Sequence, residues 1–110
     1  MNKTFNGTLI YNDEGQFEIH NDNEIINITE ILDNIFDSQL KPLVYVKVMK
    51  GSSTLFEEDG GIFVNTDRFG IQCFYICGLN LDSLLLNHEN EFLEITIKYE
   101  GKLRNNGNKS

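Results

Sequence analysis

The chain contains no tryptophan, no alanine, one proline (Pro42) and two cysteines. Cations are also scarce, with 9 Lys and Arg against 17 Asp and Glu and a formal net charge of -8. Each scarcity closes an option. A surface this poor in cations has no basic patch to displace counterions from a phosphate backbone, so direct nucleic-acid binding is not expected. Residues 1–51 carry 4 Lys against 8 acids and residues 52–110 carry 5 Lys and Arg against 9, so each half is -4 and no acidic tail dominates. No apolar run approaches about 18 residues, which leaves no membrane span. Met1-Asn2-Lys3-Thr4 has no apolar segment behind it of the kind a secretion signal needs. The expected compartment is the cytoplasm, where two cysteines are thiols rather than a bridge. Spacing agrees: if Cys73 and Cys77 share a strand, their Cα atoms lie about 13 Å apart at about 3.3 Å per residue, beyond the roughly 7 Å reach of a disulfide. The missing Ala and Trp, with abundant Asn and Ile, match an AT-rich coding genome such as a low-GC bacterium or one of its phages.

What the chain does have is alternating apolar strands and two short capped helices. Its 110 residues suit one domain, read as residues 1–103 followed by a flexible tail over 104–110. The heaviest apolar stretch is Phe69 to Leu86. There Ile71, Cys73, Tyr75 and Cys77 fall on one face of an extended chain and Phe74 and Ile76 on the other, which predicts a strand covered on both sides near the middle of a sheet. Gly78 ends it, and Asn80 or Asp82 offers an N-cap for a short buried leucine helix. Phe5, Gly7, Leu9 and Tyr11 alternate up to the turn Asn12-Asp13-Glu14-Gly15, and Phe17 and Ile19 resume, predicting a hairpin. Asn27 and Glu30 have capping-box spacing before the stripe Ile28, Ile31, Leu32, Ile35. Leu43–Met49 reads as a largely buried strand, Glu57-Glu58-Asp59-Gly60-Gly61 as a turn, and Glu94–Glu100 as a half-exposed strand. The fold class is α+β, a mostly antiparallel sheet or small barrel with two short helices.

The two halves echo each other. Ile26-Asn27-Ile28-Thr29-Glu30-Ile31-Leu32 aligns with Leu79-Asn80-Leu81-Asp82-Ser83-Leu84-Leu85, which suggests two strand-strand-helix-strand units over 4–51 and 54–101.

Catalytic chemistry finds little footing. Glu57, Glu58 and Asp59 sit in a polar turn beside two glycines and read as solvated rather than as an acid/base pair. His20 with Asp22 and Glu24, and His88 with Glu89, match no metal-ligand spacing, so no metal or cofactor is expected. Cys73 reads as packing rather than as a nucleophile, and Gly60-Gly61 lacks the spacing of a phosphate loop. The expectation is a small acidic, non-enzymatic interaction protein of phage or mobile-element origin that binds and modulates a host protein. Its contact residues would be Phe56, Glu57, Glu58, Asp59 and Arg68 in loops at 50–61 and 65–68, an apolar anchor ringed by charge. Imitation of nucleic acid by the acidic surface is diluted by interspersed lysines. The alternative is a small anionic-ligand, nucleotide-type, binding or sequestering protein in which Arg68 with Lys47 or Lys98 neutralises the ligand. A further alternative is a structural or homo-oligomeric subunit extended through the Ile95–Tyr99 strand.

Overall fold

The alternation from Phe5 to Ile19 folds as expected, into β1 (Asn2–Tyr11) and β2 (Phe17–His20) with Leu9 facing Ile19 and Tyr11 facing Phe17. Asn12 closes the turn, its Oδ1 accepting the N–H groups of Glu14 and Gln16 at 2.9 and 3.0 Å. The computed structural model describes residues 1–66 and 68–101, so the expected flexible tail lies outside the described residues.

β3 (Ile25–Asn27) adds to β2 and runs directly into α1 (Ile28–Ser38). Asn27 caps α1 by accepting the Glu30 N–H at 2.9 Å, and Ile28, Leu32 and Ile35 are its buried stripe. After α1, Lys41 sits at φ +54° immediately before Pro42, and β4 (Leu43–Lys50) begins. β5 (Ser53–Thr66) is a single strand of 14 residues, followed by β6 (Gln72–Ile76), β7 (Leu79–Asn80), α2 (Leu81–Leu86) and β8 (Phe92–Lys98). Asn80, not Asp82, caps α2, its Oδ1 accepting the Ser83 N–H at 2.9 Å.

All pairings are antiparallel, and the eight strands lie in the order β3-β2-β1-β8-β4-β5-β6-β7. β3 and β7 are the two outer strands, so the sheet is open rather than closed into a barrel. One face carries the core, with Leu9, Phe17, Ile19, Val44, Val46, Val48, Ile62, Phe74, Ile76, Leu93, Ile95 and Ile97, and both helices bury side chains in it. Each such aliphatic or aromatic side chain contributes about 1.5–3 kcal/mol by leaving water. Tyr99 is buried with them, and its hydroxyl meets the Ser38 hydroxyl at the end of α1. The other face is open and largely polar, as a one-sided antiparallel sheet permits; Thr4 and Thr96 hydroxyls meet across it at 2.9 Å.

Three expectations are corrected here. The acidic run Glu57-Glu58-Asp59-Gly60-Gly61 is not a turn but the middle of β5, paired with β4 from Leu43↔Gly61 to Val48↔Phe56. The doubly apolar segment is not central. β6 lies one strand from the sheet end, with Phe74 and Ile76 buried while Ile71 and Cys77 are exposed. Cys77 and Gly78 form its turn to β7, both at positive φ, +52° and +83°, as a two-residue hairpin loop of the primed type requires. The central pair is instead β4 and β8, and β8 has both edges occupied, by β1 and β4. The Ile95–Tyr99 segment therefore cannot extend the sheet into another subunit.

The pairing plan runs the same way twice. β1 pairs β2 and β2 pairs β3; β5 pairs β6 and β6 pairs β7. Glycines lie under both hairpins: a Cβ on Gly7 would fall 2.4 Å from His20 O, and one on Gly60 3.1 Å from Cys77 Cβ.

Candidate functional site

Most large apolar side chains point into the core, so those that do not mark candidate contacts. Three lie near one another, Leu43 and Phe63 on the outer face of β4 and β5 and Leu40 in the segment that leads into β4: Leu40 is 88% exposed, Leu43 65% and Phe63 58%. Leu43 stands opposite Gly61 in the β4–β5 ladder, and the Phe63 ring lies over Gly61, 3.5 Å from where a Cβ would be. Leu40, Pro42, Ile62 and Phe63, with Phe36 from α1, line a cleft of about 480 Å³. The left-handed backbone at Lys41 is uncommon for a residue with a side chain and costs about 1–2 kcal/mol, so the segment that presents Leu40 is held in shape by its surroundings rather than by its own preference.

A charged margin adjoins this patch. Gln39 borders both that cleft and a second one of about 540 Å³ lined by Leu43, Tyr45, Asp59 and Lys98. The Tyr45 hydroxyl donates to Glu57 at 2.7 Å, and the Lys98 ammonium lies 5.0 Å from the Tyr45 ring centroid, within cation–π range. The Tyr45 hydroxyl is pushed up to about 12, first because Glu57 accepts its proton in a hydrogen bond and second by burial.

The sequence-selected contact residues are divided by this geometry. Glu57 and Asp59 are exposed on the outer face, beside the patch; Glu58 points to the other side and is half-buried. Phe56 is buried beneath the sheet, 8% exposed, and so is not an exposed anchor. Arg68 lies beyond the far end of β5, with its guanidinium 5.5 Å from the Phe69 ring centroid. Lys47 and Lys98 share the outer face of β4 and β8, so the three cations named for an anionic ligand do not converge. The anchors that sequence reasoning missed are Leu40, Leu43 and Phe63. A signal was available: Phe56, Ile62 and Val64 share the even-numbered side of an extended chain, which leaves Phe63 on the other.

A second polar constellation lies next to this patch, at the C-terminal end of β5, where Phe63 pairs with Tyr75. Asp82, 6% exposed, accepts the Phe74 N–H at 2.8 Å and lines a cleft of about 410 Å³ with Cys73, Tyr75 and Asn80. Desolvation pushes its carboxyl up to about 6, with the Phe74 hydrogen bond opposing. Cys73, half-buried, and Cys77, exposed, form no disulfide with each other.

The two histidines serve carboxylates. His20 bonds Glu18 at 2.8 Å, and His88 bonds Glu91 at 2.8 Å beside Lys50 at 3.0 Å. These partners, His20 then Asn12 for Glu18 and His88 then Lys50 for Glu91, hold both carboxyls below their ordinary value. Among the described residues no group of three or more His, Cys, Asp or Glu is arranged to hold a metal ion, and no helix is long and apolar enough to cross a membrane. No family model, curated protein or solved structure matches the chain.

Proposed function

We propose that this chain is a small acidic, non-enzymatic interaction protein of phage or mobile-element origin, acting in the cytoplasm, that binds and modulates a host protein. The observation that carries the reading is the cluster of Leu40, Leu43 and Phe63, large apolar side chains held at a surface bordered by Glu57, Asp59 and Lys98. An apolar centre with a charged rim is the usual anatomy of a contact surface. We further read residues 4–51 and 54–101 as two copies of one unit, which has three strands, a helix and a fourth strand rather than the strand-strand-helix-strand order expected from the sequence. Support comes from the sheet order, which from either end gives the third, second and first strands of one half and then the last strand of the other, and from Asn27 and Asn80 capping corresponding helices. The Leu9 N–H donates to Glu91 O at 2.9 Å and the Ile62 N–H to Pro42 O at 3.3 Å, at matching places in the two units.

The test is affinity capture from host lysate, followed by binding of the purified candidate to wild type, Leu40→Ser and Phe63→Ser. A partner held by wild type and lost by both variants, with the fold intact, supports the reading. Binding that survives both substitutions removes this surface from it, and capture of nothing above background counts against the function itself.

A further inference from the structure

Phe17 and Phe74 occupy matching places, each on the second strand of a hairpin, and each sends its N–H to the first turn of the helix that follows. Thr29 Oγ1 accepts one and Asp82 Oδ1 the other, both at 2.8 Å and both two residues after the capping asparagine. A hydroxyl is thus enough to satisfy this amide. A carboxylate at 6% exposure carries a desolvation cost that the hydroxyl does not, so the edge hydrogen bond alone does not account for Asp82.

The surroundings of the two acceptors differ in the same sense. Beside Thr29 the space is filled from within: Asn27 Nδ2 donates to Gln16 at 2.9 Å, and Asn12 Nδ2 to Glu18 at 2.9 Å. The positions matching Gln16 and Glu18 are Cys73 and Tyr75, and there the 410 Å³ cleft opens beside Asp82. Its walls supply a phenol ring at Tyr75, amide and hydroxyl oxygens at Asn65, Thr66 and Ser83, and an apolar side at Leu86. The Ser83 amide is already taken by Asn80, and a carboxylate repels anions, so the cleft suits a cation.

We propose that the cleft between β6 and α2 receives an arginine side chain of the partner protein, with Asp82 as its counter-ion. This rests on the interaction reading above. The planar guanidinium can donate to the carboxylate while its face stacks on Tyr75 and its methylene stem lies along Leu86, which a lysine ammonium cannot reproduce. The net charge of -8 attracts a basic partner to begin with.

The test is an NMR titration of the whole chain with N-acetyl-arginine methylamide, with the lysine and citrulline counterparts as comparators. The expected result is saturable shifts of the Phe74, Tyr75, Asn80 and Ser83 amides with the arginine compound, at least tenfold weaker with the other two. Asp82→Thr, which keeps an acceptor for Phe74 as Thr29 does for Phe17, should preserve the spectrum and weaken arginine binding at least tenfold. Absence of localised shifts, equal response to lysine or citrulline, or unchanged binding in Asp82→Thr each overturns the proposal. If Asp82→Thr captures the lysate partner as well as wild type does, the cleft is excluded while the interaction reading stands.

Discussion

Tyr45 and Glu57 are bonded across the β4–β5 pair, phenol to carboxylate at 2.7 Å, on the diagonal two residues off direct register. The phenol proton is held by an acceptor that is itself charged, so losing it would set two negative charges against each other. One tyrosine should therefore titrate near 12 when absorbance is followed with pH. Glu57→Gln should return that midpoint toward about 10, and Tyr45→Phe should remove it. A tyrosine titration curve identical in wild type and Glu57→Gln would show that the bond is not formed in solution.

Asp82 should make the protein more stable in mild acid than its other carboxylates would suggest. Its folded-state value of about 6 lies above the ordinary 3.8, so between those values the native state binds a proton that the unfolded chain has released. Stability from this group is therefore greatest below about pH 4 and is lost as pH rises through 6, by about 3 kcal/mol at most. Glu18 and Glu91, whose values are lowered, act in the opposite direction, and Asp33, raised by burial and by Asp37, acts in the same one. The observable is thus a difference: urea unfolding at pH 4.5 and pH 7 should show Asp82→Thr gaining on wild type at the higher pH.

Gly7→Ala should cost roughly 3 kcal/mol, because the new methyl would stand 2.4 Å from the His20 carbonyl oxygen, and backbone cannot swing aside. Gly51→Ala makes the comparison: at φ +60° it is strained by its backbone alone, with nothing within 4 Å of the added atom, and should cost about 1 kcal/mol. Chemical denaturation of the two variants should rank them in that order.

The two helix caps should be worth about 1 kcal/mol each, so that Asn27→Ala and Asn80→Ala destabilise comparably and their double mutant nearly additively. A double mutant no worse than either single would mean that the two helices do not contribute independently.

Much of this architecture is legible in local chemistry. The β1–β2 hairpin follows from Phe5, Leu9, Phe17 and Ile19, and both helix starts follow from an asparagine ahead of an aliphatic stripe. What misled was composition standing in for geometry. Glu57, Asp59 and two glycines look like a turn, yet the carboxylates face water from an open sheet and Gly60 gives room for Cys77 to cross above it. The Phe69–Ile76 segment looks central because both its faces are apolar, but no second layer covers the outer face, and Cys73 and Tyr75 remain half-buried there. The site was less legible still. Exposed Leu40, Leu43 and Phe63 differ from core residues only in which way the chain points them, and strand order decides that.

That order also has a temporal meaning. β8, the latest strand along the chain, is inserted between β1 and β4, and the Tyr99 N–H reaches back to Met1 O at 2.7 Å. During translation the earlier strands emerge from the ribosome with the middle of their sheet missing, and β1 and β4 have no neighbour on that side until β8 arrives. Such far-separated pairing slows folding, so a nascent chain halted before Phe92 should remain a chaperone client rather than half of a finished protein.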